Sequence, residues 1–212
     1  EEIARTVGHL DRFLTHVGAV PDRTSIIEFG CGEGHLAQHL LSLHFRYLGV
    51  DASPLALEKA RGRTAQEGGG DAFLRGDITC LRELKDRSFD VGVDNFCLHM
   101  LVTDPDRQRY LSEVSRVLRK GGWAYFHEVH RPDGFPARVN NYQEFLERFH
   151  PDLTTLEERE AYAHGAKRKI QLPRLPMRAD NEEGYRREFA HAGLTVEAFR
   201  VSGHTCTIWA QA

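Results

Sequence analysis

The sequence predicts an α/β protein with a doubly wound, mostly parallel sheet. Three observations lead to this fold class. Short apolar runs alternate with amphipathic segments along residues 25–130, the order that strand–helix–strand units produce. A glycine-rich turn separates the first apolar run from the helix after it. The chain ends in two strand-like runs around Ser202-Gly203, which predicts a closing antiparallel hairpin.

The composition is that of an ordinary globular domain. The chain has 212 residues, which suits one domain with a sizeable core. A net charge of −3 gives no general attraction to nucleic acid or to an anionic membrane. No apolar run reaches the ~20 residues of a membrane helix, and the four scattered cysteines include no C-x-x-C pair. We expect a cytoplasmic protein with free thiols, while the missing initial Met leaves open whether residues precede Glu1.

The first two elements surround the glycine turn. Apolar side chains recur at helical spacing over residues 2–18, which predicts an amphipathic helix that ends before Pro21. Residues 25–40 read S-I-I-E-F-G-C-G-E-G-H-L-A-Q-H-L and predict a strand, a tight turn and a helix. Glycine suits such a turn because it adopts positive φ without strain and lets a ligand approach the backbone.

Strands and helices then alternate regularly. Further strands are expected at residues 45–50, 72–75, 89–96 and 122–128. Further helices are expected at residues 56–65, 104–120 and 182–192, and the hairpin at 194–201 and 205–210. Ser53 is a typical N-cap before Pro54 at the first helical position. Asp51 and Asp94 fall at carboxyl ends of strands, where open parallel sheets bind ligands.

Residues 131–179 interrupt the alternation, because about 50 residues are long for one connection. Helices are expected from about Val139 to His150 and from Leu153 to His164. A basic run follows: Lys167, Arg168, Lys169, Arg174 and Arg178. We predict a helical lid that covers a substrate at the carboxyl edge of the sheet. A solvated basic loop and an oligomer contact are the alternatives.

Three segments carry a resemblance to a known family. The run E-F-G-C-G-E-G of residues 28–34 resembles motif I of the class I S-adenosylmethionine (SAM) dependent methyltransferases of the small-molecule type. Residues 89–101 resemble motif IV, and residues 111–128 resemble the helix, turn and strand after it. Arg119-Lys120 stands where relatives carry Lys-Pro. The resemblance covers residues 25–130 and implies a Rossmann-like, doubly wound, seven-stranded sheet.

The resemblance implies S-adenosyl-L-methionine as the cofactor. Glu28 would help to hold its amino group, Asp51 its ribose, and Asp77 its adenine amine. The residues that the resemblance places around the cofactor are Glu28, Gly30, Cys31, Gly32, Gly34, Asp51, Ala52, Asp77, Ile78, Asp94, Asn95 and His99. The chemistry of Glu28 agrees, because a carboxylate there repels a pyrophosphate and attracts an ammonium group. The third glycine also comes one residue early for the dinucleotide spacing.

Histidines are the candidate general bases. A hydroxyl acceptor must lose its proton, and histidine titrates near working pH. His127 and His130 flank Glu128 at the end of the fifth strand, and alternation puts Glu128 and His130 on one face. We expect Glu128 and His130 to face the substrate, with His127 as the third catalytic candidate. His35 and His39 lie one helical turn apart, but without a third ligand no metal site is expected.

The predicted function is methyl transfer from SAM to an oxygen or nitrogen of an anionic or aromatic small molecule. The alternatives are an RNA or protein methyltransferase and a catalytically silent SAM-binding partner subunit. Glu28 and the glycine spacing argue against an NAD-dependent oxidoreductase. No membrane or nucleic-acid partner is expected, and monomer and homodimer stay open. The single domain is divided into an N-terminal helix (1–20), a cofactor-binding core (21–130), a substrate lid (131–179), and a closing helix and hairpin (180–212).

Overall fold

The computed structural model describes residues 2–151, 154–163, 166–173 and 175–212. The strands are β1 Ser25–Phe29, β2 Arg46–Asp51, β3 Phe73–Arg75, β4 Phe89–Asn95, β5 Leu118–Val129, β6 Leu156–Ala163, β7 Ala166–Pro173, β8 Thr195–Ser202 and β9 Thr205–Gln211. The helices are α1 Glu2–His16, α2 His35–Ser42, α3 Pro54–Arg63, α4 Asp104–Val117, α5 Tyr142–Phe149 and α6 Glu182–His191. The predicted seven-stranded sheet is confirmed, in the order β3-β2-β1-β4-β5-β9-β8.

The strand order creates one crevice at the carboxyl edge. β1 pairs in parallel with β2 on one side and with β4 on the other. The chain therefore winds outward through β2 and β3, and then returns to the opposite side of β1 for β4 and β5. Ligands of open α/β sheets bind where the winding direction reverses. The expected binding position is above β1 and β4. The predicted closing hairpin, β8–β9, pairs antiparallel to β5.

Helices cover both faces of the sheet. α1, α2 and α3 pack against one apolar cluster, and α4 and α6 pack against the other. α1 runs alongside β5, because Phe13 packs on Tyr125 with ring centroids 5.3 Å apart and His16 packs on Trp123 at 5.9 Å. Earlier residues of α1 meet later residues of β5. The first turns of α1 therefore reach the carboxyl edge, where the crevice lies.

α4 ends earlier than the sequence suggested. We expected Arg119 and Lys120 in its last turn, but the helix ends at Val117 and both residues belong to β5. Buried Leu118 donates its N–H to Val114, as a helix end does, and then turns extended to pair with Phe89 of β4. Pairing with the neighbouring strand, which local sequence does not reveal, decides this boundary.

The insertion of residues 131–179 is only partly helical. Its first predicted helix is present as α5, whose N-cap Asn141 accepts the N–H of Glu144. The second predicted helix is wrong, because residues 156–163 and 166–173 form an antiparallel strand pair, β6–β7. A cross-strand ion pair supports it, with Lys169 Nζ 2.7 Å from Glu158 Oε1. Leu153, His164 and Arg174 of the predicted lid lie outside the described residues.

The insertion packs on the carboxyl edge beside the start of α4. Val139 and Phe145 form a small apolar cluster with Val102, which precedes α4. The N–H of Asp104 also donates to the carbonyl of Val139 at 2.7 Å. The insertion is therefore attached where α4 begins. Within the described part of the chain, every helix is too short or too polar to cross a membrane.

Candidate active site at the carboxyl edge of the sheet

The glycine turn between β1 and α2 is shaped by packing on two sides and is open on the third. Gly30, Gly32 and Gly34 have φ of 68°, 52° and 76°, values that favour glycine. A Cβ at Gly30 would collide with Sγ of Cys97, and one at Gly34 would lie 2.9 Å from Cβ of Ala60. A Cβ at Gly32 would meet no atom within 4 Å. The backbone of Gly32 therefore faces free space that a ligand could fill.

Asp51 lies directly beside this turn. Its Oδ2 accepts the N–H of Gly32 at 2.9 Å, and its Oδ1 accepts the N–H of Ser53 at 2.8 Å. These bonds hold a half-buried carboxylate at the end of β2, and each oxygen keeps a lone pair. Cys31 is buried beneath the turn, and Ala52 is exposed beside Asp51. The structure therefore groups these predicted cofactor residues.

Asp77 and Ile78 lie at the same edge as Asp51. The N–H of Gly76 donates to the carbonyl of Asp51 at 3.1 Å, which joins the ends of β3 and β2. Asp77 is exposed and its Oδ1 accepts the N–H of Thr79 at 2.9 Å, while Ile78 packs on the core. The arrangement presents one exposed carboxylate next to an apolar side chain, which suits a planar ring with an amino group.

Glu28 is more deeply buried than a carboxylate needs to be in order to contact the ammonium group of a ligand. Its side chain is almost inaccessible, and the hydroxyl of Tyr47 donates to its Oε2 at 2.5 Å. Burial, together with nearby Asp94 and Asp51, raises the pKa of Glu28 to about 8. The carboxyl group is therefore mostly protonated at neutral pH. Contact with a cationic group would favour its ionised form. The sequence did not indicate that Tyr47 would bind Glu28; it indicated only which face of β2 the side chain of Tyr47 occupies.

Asp94 holds the turn after β4 from inside the protein. Its carboxyl group is fully buried and accepts the N–H of Cys97 at 2.8 Å and the hydroxyl of Tyr110 at 2.7 Å. Burial and the proximity of Glu128 raise the pKa of Asp94. Phe96 has a φ of 62°, a strained value for an aromatic residue. The group that this turn presents to the crevice is its backbone, not the carboxyl of Asp94.

Glu128 corrects one of the sequence predictions. We expected it to face the substrate, but the side chain is fully buried. It accepts three backbone N–H groups, those of Cys97, Leu98 and His99, at 2.9–3.1 Å. Nδ1 of His99 also donates to it at 2.8 Å, and burial lowers the pKa of this imidazole. Glu128 and His99 therefore shape the turn after β4, because the buried N–H groups need acceptors.

His127 in β5 and His130 directly after it lie on opposite faces, as alternation predicted. Nδ1 of His127 lies 3.1 Å from Oδ1 of Asn95, and its ring packs on Phe96 at 4.4 Å. Burial lowers the pKa of His127 to about 4, so the ring is neutral at pH 7. His130 packs near Phe199 instead, and its Nδ1 has no hydrogen-bond partner in the described part of the chain. The structure thus brings His127, not His130, to Asn95.

The other histidine prediction concerned a metal. Nε2 of His39 lies 2.7 Å from Oδ1 of Asp11, and Nε2 of His35 lies 3.5 Å from a guanidinium nitrogen of Arg63. Each ring therefore has its own partner. Among the described residues, no group of three or more His, Cys, Asp or Glu side chains could hold a metal ion.

The two residues of the predicted basic run whose side chains the structure describes, Lys169 and Arg178, do not share one surface. Arg178 is buried, and its Nη2 lies 2.9 Å from Glu188 and 3.1 Å from Asp104. Its guanidinium also stacks on Phe135 at 4.6 Å. Lys169 of β7 instead pairs with Glu158 of β6. Arg178 therefore attaches the insertion to the core and is not available to a substrate.

Comparison with known families gives one match. The family model described as "Methyltransferase domain" matches residues 26–122. The chain is 26% identical over 115 residues to a ubiquinone biosynthesis O-methyltransferase of Nitrosomonas europaea, which covers 54% of this chain and 47% of that protein. It is 32% identical over 124 residues to a malonyl-[acyl-carrier protein] O-methyltransferase of Yersinia pestis, covering 58% of this chain and 42% of that protein. The chain thus spans about half the length of these curated relatives.

Solved structures share the fold. A SAM-dependent methyltransferase from Clostridium acetobutylicum superposes with a TM-score of 0.69 at 16% identity, covering 95% of this chain and 88% of that one. A glycopeptide N-methyltransferase, MtfA, in complex with SAM superposes with a TM-score of 0.62 at 16% identity, covering 94% and 91%. At such low identity the likeness establishes the architecture alone.

Proposed function

We propose that this class I S-adenosylmethionine-dependent methyltransferase domain binds SAM over its glycine turn and transfers the methyl group to an oxygen or nitrogen of a small molecule. One observation carries the proposal. The backbone of Gly32 faces free space, and its N–H is held by the carboxylate of Asp51. A ligand over Gly32 therefore meets exposed backbone and a fixed acceptor for ribose hydroxyls.

The residues of the crevice fit the parts of SAM. Asp51 would accept from the ribose, and Asp77 with Ile78 would receive the adenine. Glu28 lies beneath the turn, where the amino group of the methionine part would favour its ionised form. The carboxyl groups near the turn also suit a cation. We therefore propose the twelve residues that the resemblance named as the cofactor set. Within this set, Cys31 would support the glycine turn, and Asp94 and His99 would support the turn after β4, without contacting the cofactor through their side chains.

SAM supplies an activated methyl group, because its sulfonium sulfur is a good leaving group. The new bond joins an oxygen or nitrogen of the acceptor to the methyl carbon, and the carbon–sulfur bond breaks in line with it. The protein aligns the acceptor, excludes water and removes a proton where the acceptor is a hydroxyl. The turn after β4, held by Asp94 and Glu128, gives a rigid edge for this alignment.

The cofactor assignment is tested by calorimetry. We expect wild-type protein to release or absorb heat on binding SAM and its demethylated product, and Asp51→Asn to weaken both about tenfold or more, because a charged acceptor of a hydroxyl is lost. Glu83→Gln is the matched control, since Glu83 is exposed and lies on a loop before β4. No heat with either ligand for wild-type protein would disprove the proposal.

A small-molecule acceptor is favoured over a nucleic acid. The net charge of −3 provides no general attraction to phosphates. The two relatives described above are named as O-methyltransferases, one in ubiquinone biosynthesis. Turnover of radiolabelled SAM against a panel of phenols, carboxylic acids and amines is the test. Transfer only to RNA or protein would support the alternative enzymes, and SAM binding without any transfer would support a silent partner subunit.

We propose His127 as the residue that receives the acceptor proton, with His130 as the alternative. Nδ1 of His127 donates to Asn95, which leaves Nε2 as an acceptor in the neutral ring. We expect His127→Phe to lower turnover about a hundredfold on a hydroxyl acceptor and His130→Ala to lower it only a few-fold. SAM affinity, measured by calorimetry, should change little in both variants.

The pH profile checks the same assignment. Because the pKa of His127 is lowered to about 4, its neutral form predominates above that value. Between pH 7 and pH 5 we expect the kcat/KM of the wild-type protein to stay level. A fall of kcat/KM in that window that is absent in His127→Phe would contradict this expectation. Wild-type turnover in His127→Phe, with loss in His130→Ala, would return the role to His130.

A further inference from the structure

A second cavity lies beside the cofactor crevice. It has a volume of about 320 Å³ and is located between α1 and the face of the β8–β9 hairpin that α1 covers. Its lining includes the polar and aromatic residues His9, Arg12, Arg200, Ser202, Thr205, Thr207 and Trp209. The volume is at the lower end for small-molecule sites. The proposed cofactor set uses none of these side chains.

The cavity carries positive charge that the protein does not neutralise. Arg12 and Arg200 are exposed, and neither forms an ion pair with any residue that the structure describes. The guanidinium of Arg200 stacks over the ring of Trp209 at 4.0 Å, which limits its movement. The described lining contains no Asp or Glu. Two unpaired guanidinium groups and the hydroxyl of Thr207 are donors that suit an oxyanion, whereas the hydroxyl of Thr205 already donates to the carbonyl of Ser202.

A buried donor that pairs with no described residue belongs to one residue that lines this cavity. Nε1 of Trp209 is buried and has no hydrogen-bond partner in the described part of the chain. The same holds for the hydroxyl of Tyr125, the residue opposite Trp209 in the β5–β9 register. Buried donors are normally satisfied. Because both atoms are inaccessible, they do not count among the donors that the cavity offers to a ligand.

The cavity lies next to the end of β5 that forms the proposed active site. The ring of His9 lies 5.9 Å from the ring of His127. Thr207 is the residue opposite His127 in the β5–β9 register. His127 in turn contacts Asn95 at the crevice. A molecule whose reacting atom lies at His127 could therefore extend its far end toward Arg12 and Arg200.

We propose that this cavity binds an oxyanion group, carboxylate or phosphate, of the methyl acceptor. The inference rests on the proposed function, because the anion is part of the molecule that receives the methyl group. Arg12 and Arg200 bind the anion with charge-assisted hydrogen bonds, and the hydroxyl of Thr207 donates an additional one. The site would select acidic acceptors over neutral ones of the same shape.

The experiment measures anion binding directly and needs no turnover. The chain has two tryptophans, so Trp123→Phe leaves Trp209 as the single tryptophan, whose emission is excited selectively at wavelengths that tyrosine does not absorb. This protein is titrated with inorganic phosphate and, separately, with acetate, with potassium chloride at the same ionic strength as reference. Arg12→Gln and Arg200→Gln are made in the same background. Arg46→Gln is the control, since Arg46 is exposed at the first residue of β2, at the end of that strand opposite to Asp51.

We expect a saturable change in Trp209 emission with phosphate, acetate or both, and about tenfold weaker binding in each cavity variant but not in Arg46→Gln. A response to phosphate alone assigns a phosphorylated acceptor, and a response to acetate alone a carboxylic acid. Emission that follows only ionic strength, or equal binding in Arg12→Gln, Arg200→Gln and control, would overturn the inference. SAM calorimetry on the same proteins separates the two proposals, because intact SAM binding without anion binding refutes only this one.

Discussion

At the scale of single residues, Glu28 shows how a binding acid can also be a stability element. The carboxyl group lies beneath the glycine turn and is bonded to the hydroxyl of Tyr47. Burial raises its pKa to about 8, so the folded protein binds a proton that the unfolded chain releases near its ordinary pKa of 4.5. The folded state is therefore penalised when that proton is removed. A bound cation would reverse the penalty, which couples ligand binding to ionisation.

We predict that Glu28→Gln removes a pH dependence of stability. Because the pKa is raised on folding, the stabilisation by protonated Glu28 is complete below pH 4.5 and is lost as the pH rises toward about 8. The free energy of unfolding of wild-type protein should fall by on the order of 1 kcal/mol per pH unit relative to Glu28→Gln in that window. Urea unfolding at pH 5, 6.5 and 8 measures it. Parallel pH profiles for both proteins would show that Glu28 is not the buried acid described, and Glu83→Gln serves as control.

At the scale of elements, the turn between β4 and α4 connects the carboxyl ends of β4 and β5. Asp94 and Glu128 come from neighbouring strands and accept the N–H groups of the same turn, residues 97–99. Tyr110 of α4 also donates to Asp94. The two acids therefore join β4, β5 and α4 at the edge where the cofactor is proposed to bind. Their role is to position backbone, which differs from contact with a substrate.

We predict that Glu128→Ala is mainly a stability variant. The N–H and Nδ1 of His99 would lose their acceptor, whereas the N–H groups of Cys97 and Leu98 keep Asp94, so the free energy of unfolding should fall by about 3 kcal/mol. Glu128→Gln keeps one carbonyl oxygen and should lose roughly half of that amount. Chemical denaturation provides the measurement. Unchanged stability of Glu128→Ala with lost turnover would instead restore Glu128 as a catalytic group.

At the scale of the whole molecule, one buried charge cluster joins the insertion to the core. Glu188 of α6 accepts from Arg107 of α4 at 2.7 Å and from Arg178 of the insertion at 2.9 Å. Arg107 also donates to the carbonyl of Leu98 in the turn after β4 at 2.8 Å. The cluster therefore connects α4, α6, the insertion and the proposed cofactor edge. Buried arginines need such partners because an unpaired buried charge is costly.

We predict that Glu188→Gln destabilises the protein by about 3 kcal/mol, since Arg107 and Arg178 would lose their shared counter-charge. Glu182→Gln on the same helix is the matched control, because Glu182 pairs with Arg186 at an exposed site and should change stability by less than about 1 kcal/mol. Thermal unfolding and limited proteolysis of residues 131–179 report the two effects. Equal behaviour of both variants would show that the cluster does not hold the insertion.

The core elements were predictable because their signals are local. The glycine turn, the N-cap Ser53 and the stop after α6 appear where the sequence placed them. Alternation along β5 also predicted that His127 and Glu128 lie on opposite faces. It could not tell that Glu128 has backbone partners thirty residues earlier in the chain. Facing direction is a property of a strand, whereas what lies in front of that face depends on distant segments.

The sequence by itself determined the α/β class, the succession of strands and helices along residues 25–130 and the glycine turn after the first strand, since periodicity, capping and backbone freedom act over a few residues. Only the tertiary structure decided that residues 156–163 and 166–173 pair as strands, that Arg178 is buried and that His127 lies beside Asn95. Those features depend on pairing, burial and charge contacts between segments far apart in the chain, which no local pattern encodes.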